Sequence, residues 1–83
     1  MIEQFKIELE RATKLHPAFP KDIVHMVSIM MEEGGESTKA ANQYHSEGGS
    51  IDEVIREVIH TGAMCLRILN AINNKDYNGP ENS

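Results

Sequence analysis

The sequence predicts an all-α chain of three helices. Three observations carry that expectation: apolar residues recur at helical spacing in three segments, Pro-rich and Gly-rich stretches separate those segments, and a capping signature opens the last of them. With 83 residues, 40% of them apolar and 25% charged, the chain has room for one small domain, expected over residues 1–75 with a flexible tail over 76–83. A core of that size commonly yields only about 3–5 kcal/mol, so a metal or oligomerisation is expected to supply the rest. Disulfides are excluded as the staple, because Cys65 is the sole cysteine.

The first helix is read from Ile2, Phe5, Leu9 and Ala12, spaced by three, four and three residues, and it is expected to end near Leu15, where His16 and Pro17 stop it. The segment His16 to Pro20 is a stiff connector. Pro20 suits the first turn of a second helix, where its missing N–H costs nothing, and Asp22 suits the same turn electrostatically. Helical periodicity then holds from Ile23 to about Tyr44. Gly34 and Gly35 interrupt it at about 1 kcal/mol each relative to Ala, so they mark either a close approach by a backbone or ligand, or a break in the helix. The methionines Met26, Met30, Met31 and Met64 read as core fillers. His45 to Gly49 is the clearest turn, and Ser50-Ile51-Asp52-Glu53 matches the capping box that starts a third helix, expected to run to about Asn73. The apolar face of that helix (Ile51, Val54, Ile55, Val58, Ile59, Leu66, Leu69) covers more than one stripe. A face so broad implies a second surface buried against another subunit, and hence a homodimer or homotetramer built as a four-helix-type bundle.

The net charge of −5, with eight scattered Lys and Arg, argues against a nucleic-acid polymer as partner. No run approaches the roughly 20 apolar residues needed to span a bilayer, and Met1–Glu10 lacks the basic start of a leader, so a soluble cytoplasmic protein is expected, with no membrane partner. The acidity concentrates between Met31 and His60. Glu32, Glu33 and Glu36 form one cluster, and Glu53, Glu57 and His60 a second, on successive helices. Antiparallel packing brings Glu33, Glu36, Glu57 and His60 together at one seam, where crowded carboxylates call for a cation, Mg2+ first and Mn2+ as the substitute. Glu53 has an equal claim as the capping-box carboxylate. His25 reads as a surface or packing histidine, and His16, His25, His45, His60 and Cys65 lack the paired spacing of a zinc site.

Met31-Glu32-Glu33-Gly34-Gly35-Glu36, with Lys39-Ala40-Ala41 behind it, and Arg56-Glu57-Val58-Ile59-His60, followed by Ala63 to Leu69, resemble the MazG-like nucleotide pyrophosphohydrolases over about residues 20 to 72. That all-α group pairs a Glu-x-x-Glu on one helix with a Glu-x-x-Asp on the next. Glu33, Glu36 and Glu57 match, and His60 stands where the pattern has Asp. The resemblance implies an all-α NTP pyrophosphatase-like bundle that hydrolyses a nucleoside triphosphate, normal or aberrant, to the monophosphate and pyrophosphate. It implies Glu33, Glu36 and Glu57 as metal ligands, with His60 a weak ligand, a hydrogen-bond donor to phosphate or an outer-shell group. Glu32 either joins the ligands or orients the attacking water, acting with Glu33 in catalysis, and Arg67, Asn70 and Lys75 are the available substrate contacts. Imidazole is a poorer magnesium ligand than carboxylate, so His60 leaves the number of ions open. It also leaves an alternative: a helical dimerisation or regulatory module that has lost the chemistry.

Overall fold

The computed structural model describes residues 1–78 and contains three helices, α1 (Ile2–Leu15), α2 (Ile23–Ser46) and α3 (Ile51–Asn73), with no strand among those residues. The helices begin and end where local chemistry requires. His16 closes α1, its N–H donating to the Ala12 carbonyl at 2.9 Å. Asp22 caps α2, Oδ1 accepting from the His25 N–H at 3.1 Å. That cap corrects the placement of Pro20: it lies in the connector, two residues before the cap, and not in the first helical turn. At the other end Gly48 adopts φ 72°, a conformation that favours glycine, and the N–H groups of Glu47 and Gly49 both donate to the Gln43 carbonyl. Ser50 Oγ accepts from the Glu53 N–H at 3.1 Å, but the Glu53 carboxylate turns forward to Arg56 at 2.8 Å, so only half of the capping box forms.

Helix α2 passes through Gly34 and Gly35 without a break, and a Cβ placed on either residue would meet nothing within 4 Å. Neither reason expected for the pair therefore holds within the chain.

Helix α3 is the middle element. It packs antiparallel to α2 on one side and parallel to α1 on the other, while α1 and α2 make no direct packing. The seam with α1 is tight: the Phe5 ring occupies the space that a Gly62 side chain would need. The seam with α2 is pinned by a hydroxyl pair, Ser37 and Thr61, 2.9 Å apart. The buried apolar core is short, namely Ala12, Met26, Ala40, Ala63 and Ile68. Met26 is fully buried, whereas Met31 is 63% exposed, which corrects its reading as a core filler. The radius of gyration of 14.5 Å exceeds the value of about 12 Å for a compact domain of this length, so the three helices form an elongated slab.

The first residues of the tail make contacts with the connector and with α3. Asp76 N–H donates to the Ala71 carbonyl, the Asp76 carboxylate pairs with Lys21 at 2.9 Å, and Asn78 N–H donates to the Lys21 carbonyl. Residues 76–78 thus fasten the end of α3 to the α1–α2 connector, and only 79–83 of the expected flexible tail lie outside the described residues.

Candidate functional site

Because α1 and α2 both lean on α3 without touching, a cleft of about 440 Å³ opens between them, closed at one end by the connector. Its apolar wall includes Leu15, Phe19, Ile29 and Met64; its polar rim includes Glu8, Arg11, His25, Glu33 and His60. A slot of this size and character suits a small amphipathic molecule.

At this rim two helices bring together Glu33, Glu57 and His60, whose ligand atoms all lie within 4.8 Å of one another. Helical geometry explains why these three meet. Glu57 and His60 are three residues apart and project from one side of α3; in the antiparallel pair Glu33 and Glu57 lie one turn to either side of the Ser37–Thr61 hydroxyl contact, and their long side chains close on His60 from the two directions. Ser37 and Thr61 also reach back to the carbonyls of Glu33 and Glu57, so the same two side chains touch both acid-bearing turns. Glu36 does not join, contrary to the sequence expectation. It is exposed and outside the trio, three residues and so about 60° further round α2 than Glu33. Glu32 lies about 100° from Glu33, on the outer groove of α2 with Val24, Val27 and Met31, and is likewise outside the trio.

A residue the sequence reading missed completes the rim. Glu8 of α1 sits 3.4 Å from His60 Nε2, while His60 Nδ1 faces Glu57 at 3.9 Å, so the imidazole lies between two carboxylates. The Arg11 guanidinium, bonded to Glu8 through Nε at 3.0 Å, holds the Glu8 carboxyl below its ordinary pKa of 4.5, with His60 adding to the effect and partial burial opposing it. The same hydrogen bond raises the pKa of Arg11. The available signal was Glu8 itself, a carboxylate at the edge of the Phe5–Leu9–Ala12 apolar stripe of a helix otherwise read only as packing.

The expected substrate contacts fare differently. Arg67 lines the cleft and is also tied to the fold: it is 9% exposed, donates to the carbonyls of His16 at 2.6 Å and Ala12 at 3.5 Å, and lies 4.3 Å from the centroid of the Phe19 ring. A buried cation here bonds carbonyls at the negative end of α1, and burial pushes its pKa down. Asn70 borders a different hollow, with Leu9, Lys14 and Asp76. Lys75 stands in the turn beyond α3 at φ 55°. Neither lines the cleft.

Two carboxylates and an imidazole are a chemically reasonable donor set for a divalent cation. The oxygens suit Mg2+ or Mn2+, and the nitrogen shifts the preference toward Mn2+. Comparison with protein-family models, with curated proteins and with solved structures returns no match.

Proposed function

We propose that the chain is a divalent-metal-dependent nucleoside triphosphate pyrophosphohydrolase acting in the α1–α2–α3 cleft. The observation that carries this reading is the convergence of Glu33, Glu57 and His60 at the mouth of a slot with an apolar wall. Glu33 and Glu57 would hold the ion, with His60 as a third, nitrogen ligand. A bound divalent cation supplies charge neutralisation for the polyphosphate and a more acidic water. The chain's own residues do the rest. Phe19, Ile29 and Met64 offer apolar contact to a base, and Arg11, exposed at the rim, can turn from Glu8 to a phosphate. Glu8 keeps His60 oriented by facing its Nε2.

The test is turnover of ribo- and deoxynucleoside triphosphates with Mg2+ or Mn2+, scoring monophosphate and pyrophosphate separately. The expected result is pyrophosphate release, greater with Mn2+, that is lost in Glu57→Gln while the helical signal is retained. No release on any triphosphate, with neither ion raising the melting temperature, would overturn the reading. A second reading has its own support in the five-residue apolar core beside many exposed apolar side chains: a helical interaction module in which His60, held between Glu8 and Glu57, takes no metal.

A further inference from the structure

Thirteen large apolar side chains among the described residues are more than a third exposed, against five buried apolar residues. On α2 the exposure is ordered. Val24 (75%), Val27 (38%) and Met31 (63%) fall on one stripe at helical spacing, on the side of the helix away from Glu33 and the cleft. The same stripe continues through Gly34, Gly35, Thr38, Ala41 and Asn42, with Gly34 half-buried and the others exposed. One half of the stripe is bulky and the other small, and the boundary is the glycine pair whose side-chain space nothing within the chain fills.

We propose that this face of α2 is an isologous interface with a second copy of the same chain, the two α2 helices crossing antiparallel about a two-fold axis at Gly34–Gly35. The pattern is self-complementary under that operation. Position 31 of one copy falls opposite position 38 of the other, position 27 opposite 41 and 42, and position 24 opposite His45, so Val27 and Met31 lie on the partner's small residues while Val24 meets an imidazole at the end of the stripe. The glycines at the axis let the backbones approach closely, which gives the pair the reason that the isolated chain lacks. Charge agrees with this occupant. Glu32 and Lys39 share one edge of the stripe, two helical turns apart, and neither belongs to an ion pair among the described residues. In an antiparallel pair, residues on the same edge face one another, so each copy's Glu32 meets its partner's Lys39. A parallel pair would instead set each edge against the partner's opposite edge, where Ile23, Met30 and Ser37 offer Glu32 and Lys39 no charged partner. This interface uses the opposite side of α2 from Glu33, so it stands or falls independently of the proposed hydrolysis.

The experiment is sedimentation velocity of the full chain over a dilution series, with far-ultraviolet circular dichroism on every variant. Wild type is expected to dimerise reversibly. Gly35→Leu is expected to weaken association at least roughly tenfold while keeping or raising helicity, because leucine is the better helix former and its Cβ meets nothing within the chain. Lys39→Glu is expected to weaken association, and Glu32→Lys combined with Lys39→Glu to restore it. A wild type that stays monomeric at every concentration, a Gly35→Leu variant that dimerises like wild type, or a double variant no tighter than Lys39→Glu alone would each overturn the proposal.

Discussion

Two faces of this slab use glycine in opposite ways. At the α1–α3 seam Gly62 is required by its neighbour, because the Phe5 ring fills the volume of the missing side chain. On the outer face of α2, Gly34 and Gly35 sit in an unbroken helix with open space above them, at a helix-propensity cost of about 1 kcal/mol each relative to alanine. The first seam is already committed within the chain; the second surface is shaped but vacant. A glycine in a helix thus reports on packing only when its surroundings are known.

The strongest way to break this comparison is at Gly62. A methyl group there must displace Phe5 or part α1 from α3, so Gly62→Ala is expected to cost about 1–3 kcal/mol by overpacking, even though alanine is the better helix former. Urea unfolding would show it as a lower midpoint. A variant as stable as wild type would mean that Phe5 swings away freely and that the seam is less committed than its geometry suggests.

The legibility of the sequence divides along the same line. Helix positions depend on local chemistry, and Ile2, Phe5, Leu9 and Ala12, the Ser50 cap and the stop at His16–Pro17 delimit α1 and the start of α3 correctly. Local signals also placed Glu57 and His60 on one side of α3 and Glu33 opposite them. What could not be read was the direction in which each side chain emerges once the helices dock. The rotation of α2 against α3 is set by contacts such as Ser37–Thr61, and it leaves Glu36 and Glu32 outside the trio that spacing alone would admit. The tie of Arg67 to the end of α1 and the place of Glu8 at the rim went unread for a related reason. The partners lie some fifty residues away in sequence, Ala12 and His16 for Arg67 and His60 for Glu8, and nothing local announces that a cation will cap the end of α1 or that a carboxylate will face His60. Nor does the composition of the tail announce that Asp76 will find Lys21.

A smaller effect of opposite sign is expected at Gly35. In the monomer a Cβ there touches nothing, so Gly35→Ala should stabilise by about 0.5–1 kcal/mol through helix propensity and a less flexible unfolded chain. Thermal melts at low protein concentration would detect the gain, and repeating them at high concentration sharpens the comparison. If α2 pairs with a second copy, the added methyl group meets the partner's backbone and the gain shrinks as concentration rises. A gain independent of concentration would leave Gly35 without any packing role, whereas a loss at low concentration would place an internal neighbour where the structure has none.

The smallest effect expected belongs to the polar part of the committed seam, Glu8 between Arg11 and His60. The hydrogen bond from Arg11, with His60 assisting, lowers the folded-state pKa of Glu8 below its ordinary value of 4.5. The sign follows from proton counting. Between the two values the unfolded chain binds more protons than the folded one, so stability rises with pH there. The contribution is fully present above about pH 4.5 and is lost as pH falls through the lower, folded value. Arg11 is half-exposed, so solvent screening keeps the contribution of the pair small. Glu8→Gln should therefore flatten the acid limb of the stability-against-pH curve slightly, with little change at neutral pH beyond the lost ion pair. An acid limb unchanged by the substitution would show that Glu8 contributes nothing to the seam, leaving Phe5 against Gly62 and the Arg67 clamp as the contacts that hold α1 in place.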